Sequence, residues 1–147
     1  MTASNEDYAP SPTDWVRDQV DKVHAAGTTD VVDIIGRKVV LMTMRGAKSG
    51  KIRKVPVMRV ENDGVYAAVA SLGGAPKNPV WYYNLKADPK VTLQDGDVTS
   101  EYVAREIEGA EYDEWWKRSV DAYPPYAEYQ TKTSRKIPLF LLDPVSN

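Results

Sequence analysis

Five cations, Arg45, Lys48, Lys51, Arg53 and Lys54, crowd the stretch RGAKSGKIRK around Gly46, Ser49 and Gly50, with no carboxylate between them. Such a turn suits a phosphate-like dianion. Backbone N–H groups near Gly46 and Gly50 can converge on one concavity, Ser49 can donate its hydroxyl, and Lys48 and Arg53 can neutralise charge, Arg53 through two bonds. The spacing G-x-x-x-G-K is not that of a nucleoside-triphosphate loop. From the residues alone, a solvated hairpin with edge lysines that discourage aggregation stands beside the anion cradle. A nucleic-acid surface is the weakest reading, because the patch is short, its flanks are acidic and no recognition motif accompanies it.

Two aromatic stretches are the other candidates. Tyr123, Tyr126 and Tyr129 recur every third residue, so on a helix they share a face. They can stack a ring, bind an oxyanion or donate a proton, or they can simply pack with their hydroxyls at the rim. Trp81, Tyr82 and Tyr83 follow Asn78 at the start of a short helix, whose first turn offers N–H donors. Asp113 and Glu114 read as a solvated helix face. The chain has no cysteine and a single histidine, His24, which excludes disulfides, thiolate chemistry and paired-histidine metal sites. No metal is expected, and redox chemistry must come from a cofactor.

These groups need a scaffold. The 147 residues, 42% hydrophobic and 27% charged with a net charge of -2, fit one domain over 1–147. The N-terminus lacks an export signal and no apolar run spans a bilayer, so a soluble, cytoplasmic protein is expected. Residues 1–10 read as a flexible tail and 11–26 as a helix, with Ser11 as cap, Pro12 opening, Asp14 completing a capping box and Gly27 stopping it. Its face of Trp15, Val16, Val20 and Val23 suits packing over a sheet or an opening, with membrane-surface docking as the alternative.

RKVVLMTM, RKVPVMRV and VYAAVA read as strands, the last two joined in a hairpin through Glu61-Asn62-Asp63-Gly64. A helix capped by Asn78 with Pro79 at its first position, two strands around Asp95-Gly96, helical EYDEWWKRSVDAY and YAEYQTKTS split by Pro124-Pro125, and a terminal strand KIPLFLL complete the pattern. Roughly six strands in hairpin order with three or four helices argue for α+β with an antiparallel sheet or small barrel. No G-x-G-x-x-G occurs.

Taken in order, R-G-A-K-S-G-K-x-R-K-V-P, the S-L-G-G loop, K-N-P-V-W-Y-Y-N-L-K-A-D-P-K-V, Y-P-P-Y-A-E-Y-Q and K-I-P-L-F-L-L-D-P resemble the deazaflavin-dependent nitroreductase family, reductases that use coenzyme F420. The resemblance runs from Val39 to Pro144. It implies a split β-barrel related to FMN-binding and pyridoxamine-phosphate oxidase proteins, mostly antiparallel with flanking helices. It also implies that Lys48 and Arg53 hold the cofactor's phosphate and oligoglutamate tail, with Ala47, Ser49, Lys54, Val55, Pro56, Val57 and Met58 lining it. Val69, Ala70, Ser71 and Leu72 would pass the deazaflavin ring through their backbone, and Val80, Trp81, Tyr82, Tyr83 and Asn84 would form the other wall.

Tyr126 corresponds to the family tyrosine nearest the reacting ring. The implied reaction is hydride delivery to an activated double bond (an enone or an unsaturated lactone such as a coumarin), a quinone or a nitroaromatic, with Tyr126 as proton donor or oxyanion partner and Tyr123, Tyr129 and Ser71 in support. Met58 and Leu72 replace a tyrosine and a lysine of the family's nitroimidazole-activating member, which points to a more apolar pocket. An FMN-dependent oxidoreductase of the same barrel and a non-enzymatic deazaflavin binder are the alternatives. The expected partner is a small electron acceptor, and the expected state a monomer.

Overall fold

The structure, a computed structural model, describes residues 8–34 and 36–145. Its helices are α1 (Asp14–Ala26), α2 (Val80–Ala87), α3 (Gly109–Ala122) and α4 (Pro125–Thr131). Its strands are β1 (Asp33–Ile34), β2 (Arg37–Arg45), β3 (Ile52–Met58), β4 (Glu61–Asn62), β5 (Val65–Val69), β6 (Lys90–Asp95), β7 (Val98–Glu106) and β8 (Leu139–Pro144).

Strand β2 shows why the chain folds around itself. Its run VVLM is apolar at odd and even positions alike, a pattern that fits a strand covered on both faces. Val39 and Leu41 pack beneath α1 against Val16, Val20 and Val23, while Val40, Met42 and Met44 point the other way, into a core shared with Phe140 and Leu142. The same logic governs β8, whose Phe140 and Leu142 enter that core while Leu139 and Leu141 lie under α3 and α4. Every strand pairing is antiparallel, and the sheet order is β1-β2-β6-β7-β8-β5-β4, with β3 added on β2. The sheet curls without closing, so the fold is a split barrel, with α1, α3 and α4 over its outer faces and α2 sending Leu85 into the core that β2 and β8 share.

Burial of Val16, Val20 and Val23 holds α1 in place, at roughly 1.5–3 kcal/mol for each side chain. Its stop is as expected: Gly27 takes the left-handed conformation at φ 75° and donates to Val23 O. Its start is not, because the helix begins at Asp14 and Ser11 Oγ accepts from Thr13 N–H instead of from the helix. The expected capping box is absent.

Three further expectations need correction. The hairpin through Asp63-Gly64 joins the short β4 to β5, and β3 pairs with β2 alone, because the chain breaks from the sheet after Met58 before turning. Pro79 is the N-cap of α2 with extended backbone, so the helix opens at Val80, and Asn78 caps nothing. Of the stretch read as a tail, 1–7 lies outside the described residues. Tyr8 instead bridges Ile52, and Ala9 N–H donates to Ile52 O at 2.9 Å.

Candidate active site

The elements enclose a cavity of about 630 Å3, within the range of pockets that take a small-molecule ligand. Strand β3 supplies Arg53, Lys54, Val55, Pro56, Val57 and Met58, the end of β5 and its loop supply Val69, Ser71, Leu72 and Gly73, and α2 supplies Val80, Trp81 and Asn84. Tyr123, Tyr126 and Tyr129 form a further wall, and Ser11, Pro12, Thr13, Trp15 and Val16 around the start of α1 close another. The surround is mostly apolar, with two cations on one strand and three phenols from a single stretch of chain.

The basic turn between β2 and β3 is built differently from the expected cradle. Gly46 N–H donates to Lys51 O and Gly50 N–H to Gly46 O, so both glycine amides are consumed inside the turn. Ser49 Oγ accepts from Lys51 N–H, and Arg45 Nη1 donates to Gly50 O. Ala47 N–H is anchored to the buried Asn84 Oδ1 at 2.9 Å, which fastens the turn to α2. The exposed Lys48 and the amides of Lys48 and Ser49 remain as the turn's own anion donors. Arg53 places Nη1 on Ala9 O and Pro10 O at 3.2 and 3.3 Å, leaving Nε and Nη2 for a ligand. None of the five cations meets a carboxylate among the described residues.

Lys54 finds an unusual partner. Its Nζ lies 2.8 Å from His24 Nε2 on α1, and an ammonium can only donate, so the imidazole accepts there in its neutral form. Burial lowers the pKa of both groups, and for His24 the Lys54 charge adds to it while Asp21 opposes.

The tyrosine wall is packed from aromatic rings. Tyr126 is 6% exposed, with its ring 4.9 Å from that of Tyr123 and 6.2 Å from that of Tyr129. Burial first, then the neighbouring phenols, raises its pKa well above the ordinary value. No hydrogen bond engages its hydroxyl among the described residues, whereas Tyr123 Oη and Tyr129 Oη meet at 3.0 Å. Tyr123 is pushed up to about 12, by burial and then by that bond. Tyr123 and Tyr126 therefore keep their protons at neutral pH, and Tyr126, whose hydroxyl is unengaged among the described residues, can offer its proton to an oxygen that gains charge.

Of the residues singled out in the sequence, Ala47, Lys48 and Ser49 lie on the exposed turn beside the cavity. Ala70 is fully buried with both backbone groups engaged, N–H to Pro138 O and its carbonyl to Arg135, so it has no free peptide group to offer a ring. Tyr82 turns away, its ring against Phe140 and its hydroxyl donating to Glu106, and the half-exposed Tyr83 packs on Tyr82. Ser11, Pro12, Thr13, Trp15, Met44 and Gly73 were not among the expected site residues, although the 11–26 helix was read as covering a sheet or an opening. For α1 the signal existed, since an amphipathic helix opening on Trp15 needs a surface to cover. Arg135, which bonds the loop after β5, carried no mark in the sequence beyond being one more cation.

A model of the F420H(2)-dependent quinone reductase family matches residues 15–144. An F420H(2)-dependent quinone reductase of Mycobacterium tuberculosis is 32% identical over 105 residues, which cover 69% of this chain and 70% of that protein. A solved F420-H2 dependent reductase is 58% identical with a TM-score of 0.70, covering 76% of this chain and 99% of its own. A second solved chain, described as a domain-swapped dimer, is 58% identical with a TM-score of 0.72, covering 90% of this chain and 100% of its own.

Proposed function

We propose, for a chain that belongs to the F420H(2)-dependent quinone reductase family, that the cavity is where a reduced deazaflavin and an electron acceptor meet. The activity is two-electron reduction of a quinone with reduced coenzyme F420. When bound, the deazaflavin supplies a hydride, and a quinone that takes a hydride needs one further proton to become a hydroquinone.

The residues present fit such a cofactor. A flat apolar ring suits walls made by Val55, Val57, Val69 and Trp81, and an acidic tail suits cations with no acid beside them. Arg53 would hold the phosphate through Nε and Nη2, and Lys48 with the Lys48 and Ser49 amides would meet the tail on the exposed turn. Tyr126 would donate a hydrogen bond to the acceptor oxygen as charge develops there. Its phenol is protonated at neutral pH, unengaged among the described residues and buried, so it can hydrogen-bond that oxygen with little competition from water. Its raised pKa keeps it a hydrogen-bond donor and not a strong acid. The paired Tyr123 and Tyr129 hydroxyls would fix the wall's shape, and Ser71 would stand in support.

The observation that carries this reading is the meeting of Arg53 and Lys54 with the phenols of Tyr123, Tyr126 and Tyr129 around one cavity. With Met58 and Leu72 among its lining, the pocket favours apolar acceptors, so enones and unsaturated lactones join quinones as proposed substrates and nitroaromatics follow behind. We take the protein as a cytoplasmic monomer built as a single cofactor-binding unit, with the half-exposed Trp15 as its point of any weak membrane contact. A solution mass decides between that and exchange of segments between two copies.

The test is a titration of the purified chain with coenzyme F420, FMN and NADPH, followed by oxidation of the reduced deazaflavin with menadione and with a coumarin. Micromolar F420 binding and menadione-dependent oxidation are expected. Binding of FMN with a flavin spectrum and no response to F420 would replace this reading with the flavin one. Tight F420 binding without turnover of any acceptor would leave a carrier protein.

A further inference from the structure

Arg135 lies between α4 and β8, and its guanidinium is committed to neutral acceptors. Nε donates to Ala75 O at 2.9 Å, Nη1 to Ala70 O at 3.1 Å and Asn78 Oδ1 at 2.8 Å, and Nη2 to Ser71 O at 2.8 Å. No carboxylate faces it among the described residues, and burial lowers its pKa with only Tyr83 opposing. Four of its five N–H groups are thus engaged with the protein, which leaves little for a ligand.

Its backbone is held as well. Gln130 on α4 donates through Nε2 to Arg135 O at 2.7 Å and accepts at Oε1 from Ile137 N–H at 3.0 Å. A single residue therefore joins three cavity walls: the loop after β5, the approach to α2 through Asn78, and the helix that carries Tyr126 and Tyr129.

The gripped loop does not hold this shape by preference. After Ser71 in the right-handed region, Leu72, Gly73 and Gly74 follow at φ 45°, 63° and 83°. A leucine resists that backbone, and the loop's internal support is two hydrogen bonds, Gly74 N–H to Ser71 O at 2.9 Å and Ala75 N–H to Leu72 O at 3.1 Å. A planar fork of donors can bind several carbonyls at fixed angles, whereas a lysine is a point charge on a flexible stem.

We propose that Arg135 is a positioning residue for the reductase reaction: it clasps the Ala70–Asn78 segment against α4 and so sets the separation between the Ser71–Gly73 wall and Tyr126. Its kinetic consequence rests on the reductase reading, and its structural consequence does not. Misplacing one wall by about an ångström can cost on the order of a hundredfold in rate.

The experiment compares the full chain with Arg135→Ala and Arg135→Lys. Amide exchange at Gly74 and Ala75 is followed without cofactor, then F420 affinity and menadione-dependent kcat/KM are measured. Both variants are expected to melt cooperatively, with exchange at Gly74 and Ala75 about tenfold faster or more. Their kcat/KM should fall about a hundredfold while the F420 Kd moves by less. Guanidinium ion at millimolar concentration should restore part of both losses in Arg135→Ala and none in Arg135→Lys.

Wild-type exchange in Arg135→Ala, or full activity in Arg135→Lys, would overturn the proposal, the latter by showing that charge suffices without the fork. Should Arg135→Ala fail to fold, Arg135→Lys carries both readouts. Should the wild-type chain fail to oxidise the reduced cofactor, the functional reading falls and the exchange result alone decides the clasp.

Discussion

The basic turn and the tyrosine wall border one cavity and solve opposite problems. The turn keeps its lysines in water, where a charge costs little to hold and is screened by salt, and fastens itself by backbone bonds and by Asn84. The wall buries the protonated phenols of Tyr123 and Tyr126, where an O–H counts for more because the surroundings are apolar. The contrast separates holding from reacting. Permanent charge can grip an anionic ligand at a solvent edge, but a group that must answer a charge appearing only during reaction belongs where it has few competitors.

The largest expected effect falls on the wall. Gly74→Ala would place a Cβ 2.7 Å from Tyr129 O, at φ 83°, and should cost roughly 2–4 kcal/mol, a fall in Tm on the order of 10 °C by calorimetry. A Tm within error of the wild type would show that the loop is not pressed against α4. Next, Tyr126→Phe should lower turnover about a hundredfold with F420 affinity unchanged. Full turnover would break the division of labour at its reacting end.

A smaller effect is expected at the turn. Lys48→Ala should weaken F420 binding about tenfold at low salt, and the difference should shrink as salt rises, with kcat unaltered in saturating cofactor. A change in kcat instead would mean that the turn does more than hold. Smallest is the acid response of α1. His24 has a lowered folded pKa, so the unfolded chain takes up the proton first as pH falls. Stability should be full above about 6.5, the unfolded value, and decline below it. In His24→Gln, whose amide can still accept from Lys54, that part of the decline should vanish from a pH series of melting curves.

What could be read in the sequence follows physical locality. The both-sided apolar runs of β2 and β8, the turn at Asp95-Gly96 and the break at Pro124-Pro125 are short-range signals, and the structure has each of them. The partner of β3 was misjudged because a hairpin signal says that a chain turns, not how long the strands beside it are. Arg135 escaped because its partners are mostly backbone carbonyls, which every residue carries, so no side-chain pattern marks them. The order of the site was visible as KSGKIRK, NPVWYYN and YPPYAEY, but the wall made by α1 required knowing that Val39 and Leu41 face outward to receive it.

Arg53 rewards a last look. With Nη1 on the carbonyls of Ala9 and Pro10 while Arg53 also lines the cavity, residues 8 to 10 and any bound anion draw on the same side chain. Two demands on one guanidinium are thermodynamically linked: whatever tightens one changes the other by an equal factor. Amide exchange at Tyr8 and Ala9, followed with and without a bound anion, would measure that linkage.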